Sequence, residues 1–351
     1  MMRILSLLLI SGGLTLGSTI YSITDLGSLG GSSSTGYQMN DAGTVVGWAE
    51  TVTGSDQAFV SLGGGSLQTL PSPGASDSYA FGINGANVIV GVSYINGQPH
   101  GTIWSGSSVT DLGAGVFPMA INASGTIVGS NGHAFKLVNG TYQDLGTLPG
   151  GDWSAAYGVN DSGTAVGYGD LASGLFRAMV WNPDGSVTQL GTLGGANSYA
   201  TAVNNAGGVI GYAGTSSGYE HAFLDSGGVM QDLGTLDGVS SYAYRINSSG
   251  AIVGYSWSEN ENNPEAFVYS DGVMQDLNSL IPGGSGWQLL EAYGIDASGE
   301  ITGIGLLNGQ ASAFLLGPSD PVPEPQGLSV ILVALGLFAV FHRRGGMRYG
   351  S

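Results

Sequence analysis

The sequence predicts an all-β fold: a seven-bladed β-propeller with four-stranded antiparallel blades, in which the N-terminal strand closes the last blade. Three observations predict it. Glycine and strand-forming residues dominate the composition, one short pattern recurs seven times, and one strand-like element precedes the first copy of that pattern while the last copy lacks its own. Beyond the propeller, the sequence predicts one C-terminal transmembrane helix.

The composition favours many short strands joined by tight turns. Of 351 residues 64 are glycine, 42% are hydrophobic and only 9% are charged, which argues against a disordered chain. Valine, isoleucine, tyrosine, phenylalanine and threonine suit strands, whereas glycine suits the turns between them. Cysteine is absent, which excludes disulfides, thiolate catalysis and cysteine-based zinc sites.

The formal net charge is −18, and most basic residues lie near the ends of the chain. Only Lys136, Arg177 and Arg245 lie in its body. Because no basic stripe is available to neutralise phosphates, we expect no nucleic-acid partner. The acidic surface is expected to keep a strand-rich, apolar chain soluble.

Residues 1–18 are typical of a signal peptide. Arg3 supplies the positive charge, residues 4–16 form the apolar stretch, and Gly17-Ser18 supply the small residues of a cleavage zone. The alternative, a buried first strand, leaves Arg3 unexplained. The sequence therefore predicts export, with the propeller in residues 19–317.

The C-terminal end divides by composition into a linker, an apolar helix and a basic tail. Residues 318–326 are rich in proline and predict a stiff, extended linker. Residues 327–342 predict a transmembrane helix, although their apolar run of 15 residues is shorter than the usual ~17–25. Residues 343–351 begin with two arginines, which are expected to stay in the cytoplasm and leave the propeller outside.

This arrangement resembles the PEP-CTERM sorting signal. The residues that carry the resemblance are Val322, Pro323, Glu324 and Pro325, followed by the short apolar helix and then by Arg343 and Arg344. The resemblance implies that an exosortase, a membrane enzyme, processes the tail and that the protein reaches the cell surface or the extracellular matrix. A plain C-terminal anchor is the alternative, and it predicts permanent attachment on the same side of the membrane.

One pattern recurs through the body of the chain: an apolar residue, Asn or Asp, two residues, Gly, two residues, an apolar residue and Gly. Its copies are MNDAGTVVG (39–47), INGANVIVG (83–91), INASGTIVG (121–129), VNDSGTAVG (159–167), VNNAGGVIG (203–211), INSSGAIVG (246–254) and IDASGEITG (295–303). The Asx positions, spaced 38 to 49 residues apart, are Asn40, Asn84, Asn122, Asn160, Asn204, Asn247 and Asp296. Because an Asx side chain can bond its own backbone two residues on, we expect these residues to be structural residues of a turn.

Each unit carries two further elements downstream. The first contains QAFV at 57, HGTIW at 100, HAFK at 133, RAMVW at 177, HAFL at 221, EAFVY at 265 and SAFL at 312. The second, usually of the form DLG, surrounds Leu26, Leu70, Leu112, Leu145, Leu190, Leu233 and Leu277. With the strands on either side of the Asx turn, these elements give four antiparallel strands per unit, as in a propeller blade.

These elements resemble the HAF-type extracellular repeat family, which is named after its His-Ala-Phe triplet. Only His133 and His221 begin the full triplet here, so this chain departs from the family pattern in five copies. The resemblance covers residues 21–316 and implies an extracellular repeat protein.

The order of elements at the two ends predicts a closed ring. The strand YSITDLG (21–27) precedes the first Asx turn, and the seventh unit ends at SAFLL (312–316) without a strand of this type. We therefore expect residues 21–26 to pair beside residues 311–316 and to complete the seventh blade. Closure of this kind leaves no free sheet edge between the first and last blades.

The candidate ligand residues recur from blade to blade, which favours structural roles. His100, His133 and His221 occupy equivalent strand positions on different blades, too widely spread to share one metal ion unless they lie at the axis. The Asp residues before the repeated Leu are expected to bond neighbouring backbone or to face solvent. We predict no cofactor; calcium, held by those Asp residues or by the acidic loop 258–265, is the alternative.

Two functions follow from these features. The first is a non-catalytic propeller that is exported, briefly anchored in the membrane and then bound to exopolysaccharide or a surface protein in a matrix or biofilm. We expect four tryptophans in loops, where they could stack on sugar rings or pack between blades: Trp48, Trp153, Trp257 and Trp287. The alternative is a secreted glycoside hydrolase or polysaccharide lyase, which requires charged residues from several blades to meet at the axis.

Overall fold

Seven four-stranded sheets follow one another along the chain in a computed structural model that describes residues 20–74, 77–257 and 263–319. Each sheet is one blade, and the blades belong to a single unit, residues 21–318. Residues 1–19, 75–76, 258–262 and 320–351 lie outside the described ranges. The predicted all-β, seven-bladed propeller with four-stranded antiparallel blades is confirmed.

The chain enters through β1 (Ile20–Gly27). Blade 1 consists of β2 (Gly30–Met39), β3 (Thr44–Thr51), β4 (Asp56–Leu62) and β5 (Gln68–Thr69). Blade 2 consists of β6 (Ser78–Ile83), β7 (Val88–Ile95), β8 (Gln98–Ser105) and β9 (Ser108–Ala114). Blade 3 consists of β10 (Phe117–Ile121), β11 (Ile127–Ser130), β12 (Ala134–Val138) and β13 (Thr141–Gly146).

The later blades repeat this order. Blade 4 consists of β14 (Ser154–Val159), β15 (Ala165–Asp170), β16 (Phe176–Trp181) and β17 (Val187–Gln189). Blade 5 consists of β18 (Gly194–Val203), β19 (Val209–Thr215), β20 (Glu220–Ser226) and β21 (Val229–Asp232). Blade 6 consists of β22 (Ser240–Ile246), β23 (Ile252–Trp257), β24 (Glu265–Ser270) and β25 (Val273–Asp276), after which the short 3₁₀ helix η1 (Leu277–Leu280) follows.

Blade 7 combines the two ends of the folded unit. It consists of β26 (Trp287–Ile295), β27 (Ile301–Leu307) and β28 (Gln310–Ser319), and β1 pairs with β28 as its outer strand. Ser22 Oγ donates to the Gly317 carbonyl at 3.1 Å, and Ser312 Oγ donates to Asp25 Oδ1 at 2.6 Å. The predicted closure of the last blade by the N-terminal strand is therefore confirmed.

The first strands of the seven blades surround a central channel. Each of these inner strands contacts the inner strands of both neighbouring blades, and β26 of blade 7 contacts β2 of blade 1. The fourth strands lie at the rim, where β5 and β17 are wholly exposed. The chain therefore forms a closed ring of blades.

The apolar core lies between neighbouring blades. It divides into seven clusters, each of which combines buried residues from adjacent blades. The third residue of the repeated His-Ala-Phe element fills these clusters, and in five blades it is a fully buried phenylalanine: Phe59, Phe135, Phe223, Phe267 and Phe314. The Phe of the triplet therefore recurs because it supplies a large apolar surface to the contact between blades.

A serine near the start of the inner strand joins blades on their buried faces. The amide of Ala58 in blade 1 donates to Ser78 Oγ in blade 2 at 2.9 Å, and the amide of Ala313 in blade 7 donates to Ser34 Oγ in blade 1 at 2.9 Å. The same bond reaches Ser154, Ser198 and Ser241 from the preceding blade. These serines are completely buried, so each bond satisfies a backbone amide that water cannot reach.

Within the described ranges, no helix is long and apolar enough to cross a membrane. The predicted signal peptide (1–18), most of the linker (318–326), the transmembrane helix (327–342) and the basic tail (343–351) lie outside the described residues. The same holds for the sorting-signal residues Val322, Pro323, Glu324, Pro325, Arg343 and Arg344.

Replacement of Leu26 by Ala is expected to lower the free energy of unfolding by about 2–4 kcal/mol, because Leu26 is 4% exposed and anchors β1 in the cluster between blades 7 and 1. Chemical denaturation measures the change. The matched control is Leu62→Ala, since Leu62 is 55% exposed and should change stability by less than about 0.5 kcal/mol. Equal effects of the two variants would contradict a structural role for β1 in closure.

Candidate functional site

The Asx residues of the repeat lie at the end of the inner strands, where each holds its own turn. Asn40 Oδ1 accepts hydrogen bonds from the backbone N–H of Ala42 at 3.1 Å and of Thr44 at 3.2 Å. The bond to the fourth following residue recurs at Asn84, Asn122, Asn160, Asn204, Asn247 and Asp296. The residue three positions after the Asx has a positive φ. It is Gly in six blades and Asn87, with φ 58°, in blade 2.

The amide nitrogens of the same asparagines join each blade to the next. Asn40 Nδ2 donates to the backbone carbonyl of Asn84 at 3.0 Å, and Asn84 Nδ2 donates to that of Asn122 at 3.2 Å. The series continues from Asn122 to Asn160, Asn204, Asn247 and Asp296 at 2.9–3.2 Å. Six inter-blade bonds of one kind therefore surround the end of the channel, and we name these seven residues the Asx ring.

The ring is completed by a different bond between blades 7 and 1. Asp296 has no amide nitrogen to donate to the Asn40 carbonyl. Instead, the backbone N–H of Ala297 donates to Asp41 Oδ1 at 3.0 Å. The Asx ring and the residues that follow it line a mostly polar cavity of about 250 Å³ at this end of the channel.

A β-bulge three residues before each Asx residue turns one side chain per blade towards the channel. The register of every inner strand shifts there, as between Gly36 and Gln38 in blade 1. The residues at the bulge are Tyr37, Phe81, Met119, Tyr157, Thr201, Tyr244 and Tyr293. A bulge adds one residue on one strand and so re-aims its side chain.

The last glycine of the repeated pattern permits this bulge. In blade 1 it is Gly47, where a Cβ atom would lie 1.9 Å from the carbonyl oxygen of Thr35 on the inner strand. The equivalent distances in the other blades are 1.9–2.0 Å, at Gly91, Gly129, Gly167, Gly211, Gly254 and Gly303. Any side chain here would push the inner strand away, which explains why the glycine recurs in all seven copies.

The bulge residues line an axial cavity of about 310 Å³ that is open to solvent. Tyr168 and Tyr212, from the second strands of blades 4 and 5, and Arg245 complete its wall. A neighbouring cavity of about 270 Å³ shares Phe81, Met119 and Tyr157 with it. The axis therefore offers tyrosine hydroxyls, aromatic faces and one guanidinium to a ligand.

Arg245 lines the axial cavity from a position that holds a small residue in most blades. The residue after the bulge is Gly82, Ala120, Gly158, Ala202 or Gly294 in five blades, Gln38 in blade 1 and Arg245 in blade 6. Arg245 Nη2 donates to Gln38 Oε1, whereas its buried Nε has no hydrogen-bond partner among the described residues. Burial lowers the pKa of Arg245 to about 10, so the guanidinium still carries its charge at neutral pH.

Aromatic side chains continue outward from the axial cavity as an unbroken series of contacts. The centroids of neighbouring rings lie 4.8–6.3 Å apart. Trp48 and Tyr37 are joined instead by a hydrogen bond, which Trp48 Nε1 donates to Tyr37 Oη at 3.2 Å. The members, in order of contact, are Tyr94, Tyr79, Trp48, Tyr37, Tyr293, Tyr244, Tyr255, Tyr242, Tyr212, Tyr199, Tyr168 and Trp153. All are partly exposed, and we name them the aromatic arc.

The aromatic arc lies towards the channel end opposite the Asx ring. Its inner-strand members precede the Asx residue of their blade by three or five positions, and second-strand members such as Tyr212 pair directly with them. It passes through blades 2, 1, 7, 6, 5 and 4. Sequence reasoning missed these tyrosines, although an aromatic residue three positions before the Asx in five of seven copies was the signal that could have found them.

Burial makes the tyrosine phenols of the axial cavity weaker acids than an exposed tyrosine. Burial, and next the charge of Glu291, raises the pKa of Tyr293, and burial likewise raises the pKa of Tyr244 and Tyr157. Burial also raises the pKa of Glu291, although the 2.5 Å hydrogen bond from Tyr293 Oη acts in the opposite direction. The tyrosines are therefore protonated at neutral pH and act as hydrogen-bond donors and apolar faces.

The predicted tryptophans are not all in loops. Trp48, Trp257 and Trp287 lie in strands β3, β23 and β26, and only Trp153 lies in a loop, directly before β14. The glycines and small polar residues near them favoured loops, but the same residues serve bulges and close strand contacts in the blades. Trp48 and Trp153 belong to the aromatic arc, whereas Trp287 packs on Phe314.

The three histidines each contact an Asp on the outer strand of their own blade. Nδ1 of His100, His133 and His221 lies 2.9–3.1 Å from a carboxylate oxygen of Asp111, Asp144 and Asp232, respectively. The backbone N–H of Gly113, and next the His100 ring, holds the pKa of Asp111 below its usual value. Within the described ranges no group of three or more His, Asp or Glu residues could hold a metal ion, and residues 258–262 of the acidic loop lie outside those ranges.

No family model matches the chain, and no curated protein matches it in sequence. Solved propeller structures share the fold at low identity. YCF48 bound to D1 peptide has a TM-score of 0.52 at 11% identity, with 88% of this chain and 99% of that chain covered. The acylaminoacyl peptidase of Pyrococcus horikoshii has a TM-score of 0.50 at 11% identity over 86% of this chain and 54% of that chain.

TolB from Acinetobacter baumannii has a TM-score of 0.41 at 13% identity and 80% coverage of this chain. The chain spans 64% of the length of that protein and about half the length of the peptidase. At 11% identity, the similarities to YCF48 and to the peptidase show the propeller fold alone.

Two reciprocal substitutions test the Asx ring. Asn160→Asp keeps the turn acceptor but removes the donor to the Asn204 carbonyl, so the free energy of unfolding should fall by about 1–3 kcal/mol. Asp296→Asn supplies the missing donor towards the Asn40 carbonyl, so the free energy of unfolding should rise by about 0.5–1.5 kcal/mol. Thermal and chemical denaturation measure both, and unchanged stability in both variants would show that only the turn acceptor matters.

Proposed function

We propose that this chain is a non-catalytic binding propeller that is exported and holds polysaccharide at the aromatic end of its channel. The observation that carries the proposal is the aromatic arc, twelve partly exposed rings in continuous contact around the axial cavity. Ligand cavities are typically lined by aromatic and apolar side chains with a few polar groups, as this one is.

Sugar rings suit the chemistry of this surface. The C–H face of a pyranose is apolar and packs on a flat aromatic ring, while its hydroxyls need hydrogen-bond partners at the edge. Tyrosine supplies both groups in one side chain, since it has an apolar body and a polar tip. The axial cavity and the adjoining 270 Å³ cavity give such a chain recessed places to bind.

A binding role fits the side chains of the cavity better than hydrolysis or elimination. Glycoside hydrolysis requires two carboxyl groups that flank one bond, and the described residues that line the axial cavity are aromatic, apolar or hydroxyl-bearing apart from Arg245. Elimination requires a general base, and raised tyrosine pKa values disfavour the phenolate that would serve as one. We therefore favour binding over the secreted-enzyme alternative.

The cellular setting is proposed from the two ends of the sequence. The signal-peptide pattern of residues 1–18 supports export, and the resemblance of the tail to PEP-CTERM signals supports processing by an exosortase. The HAF-type repeats support an extracellular site of action. We therefore place the mature propeller at the cell surface or in the extracellular matrix, in association with exopolysaccharide or biofilm, with no cofactor and no nucleic-acid partner.

Loss of the aromatic arc should weaken polysaccharide binding. In recombinant residues 19–320, the double variant Trp153→Ala/Tyr199→Ala should reduce affinity for the producing organism's exopolysaccharide at least about tenfold, because two stacking faces are removed. Isothermal titration calorimetry gives the affinity. Tyr142→Ala is the control, since Tyr142 is an exposed tyrosine on the outer strand of blade 3. Wild-type protein that folds but binds no polysaccharide would refute the proposed function.

Processing of the tail is tested in the producing organism. We expect the protein recovered outside the cell to lack both residues 1–18 and the segment after the Pro323-Glu324-Pro325 element, as mass spectrometry of the intact product would show. Pro323→Ala/Pro325→Ala should retain the full-length tail in the membrane fraction. An extracellular product that still carries residues 327–351 would exclude exosortase processing.

A further inference from the structure

The three basic residues of the propeller body are used in different ways. Lys136 Nζ donates to the carbonyl of Gly163 in the next blade at 2.8 Å. Arg177 Nη1 donates to the carbonyls of Phe176, at 2.8 Å, and Ala196. Both side chains therefore hold backbone elements together. Arg245 is different, because its only hydrogen-bond partner among the described residues is the side chain of Gln38.

The guanidinium of Arg245 is incompletely compensated. No carboxylate oxygen of the described residues lies within 4.0 Å of it, since the ion pairs found there all involve histidine. Its Nε is buried without a partner. A charge removed from water is unfavourable unless it is paired, so this arrangement favours the uptake of an anion.

Packing does not require an arginine at this position. The equivalent residue is Gly or Ala in five blades, where the space beside the neighbouring inner strand is narrow; a Cβ at Gly158 would lie 2.9 Å from Ala202 Cα. Blades 6 and 1 instead carry Arg245 and Gln38, which bond to each other. The long side chain reaches the wall of the axial cavity and not the solvent-exposed rim.

We propose that the axial cavity binds one uronic-acid unit, with its carboxylate on Arg245 and its sugar ring among the channel tyrosines. This inference rests on the proposed function, and it names the class of sugar that the site selects. The carboxylate binds the part of the Arg245 guanidinium that lines the cavity, because arginine forms charge-assisted hydrogen bonds with carboxylates. Tyr244 and Tyr293 face the sugar hydroxyls, and Tyr293 Oη, which donates its own proton to Glu291, accepts a hydrogen bond from one of them.

The size and charge of the cavity set this ligand class. Its 310 Å³ corresponds to about ten water molecules, which is the space of a single sugar ring. One guanidinium balances one negative charge, as a carboxylate carries, whereas a phosphate monoester carries nearly two. The tyrosine hydroxyls favour a polyol over an aromatic acid, because a polyol offers them further hydroxyl groups for hydrogen bonding and an aromatic ring does not.

The experiment compares D-glucuronate with D-glucuronamide, which has the same shape without the charge, on recombinant residues 19–320 by NMR titration. Wild-type protein should bind the acid at least tenfold more tightly than the amide. Arg245→Met should reduce that ratio to less than twofold, whereas the matched control Arg177→Met should leave it unchanged. A trisaccharide that ends in glucuronate, compared with the free sugar, shows whether a chain end occupies the site.

The outcomes separate this inference from the proposed function. Equal binding of acid and amide by the wild type would overturn the inference, even if Arg245→Met fails to fold, and binding of a neutral polysaccharide would then still support the proposed function. Selectivity for the acid that survives in Arg245→Met would also overturn the inference. Arg245-dependent binding of glucuronate without binding of any polysaccharide would support the inference and refute the proposed function.

Discussion

The asparagine at the end of each inner strand makes two kinds of hydrogen bond, and the ring of blades depends on both. Its Oδ1 closes the turn of its own blade, as Asn160 does towards Thr164, and its Nδ2 reaches the carbonyl of the next blade's Asx residue. The spacing between inner strands is thereby fixed to the length of one amide side chain. Aspartate can form the turn equally well but has no donor for the second bond. The preference for Asn in six copies therefore reflects contact between blades and not turn formation alone.

Fixed backbone geometry leaves one position per blade free to vary. The turn requires the Asx residue, the bulge requires Gly47 and its equivalents, and the blade contact buries the third residue of the His-Ala-Phe element, which is Phe in five blades. The bulge residue meets none of these requirements because it points into the channel. Accordingly it ranges from Tyr37 through Met119 to Thr201, and the residue after it is Gln38 in blade 1 and Arg245 in blade 6. Function in this molecule is thus expected where the repeats differ on an otherwise constant frame.

The sequence predicted the repeat number, the four strands of each blade and the closure of blade 7, because each depends on a pattern that recurs in every copy. The aromatic arc was not predicted. Successive side chains of a regular strand point to opposite faces, and a bulge shifts this alternation by one residue. The alternation alone therefore does not assign Tyr157 or Tyr244 to the channel. The pairing of Arg245 with Gln38 was equally hidden, since 207 residues separate two positions that only ring closure makes neighbours.

An acidic protein can bind an acidic sugar if the local field differs from the overall charge. The net charge of −18 is spread over the surface, and at physiological ionic strength each surface charge is screened within about 8 Å. Arg245 itself is buried, so a charge in direct contact with its guanidinium is screened less than a pair of charges on the surface. The weak repulsion at a distance slows the approach of polyanions, whereas the attraction at contact determines which ligand stays bound. Specificity for a carboxylate would then reside in one buried guanidinium, and the aromatic arc would provide most of the affinity for the sugar chain beyond it.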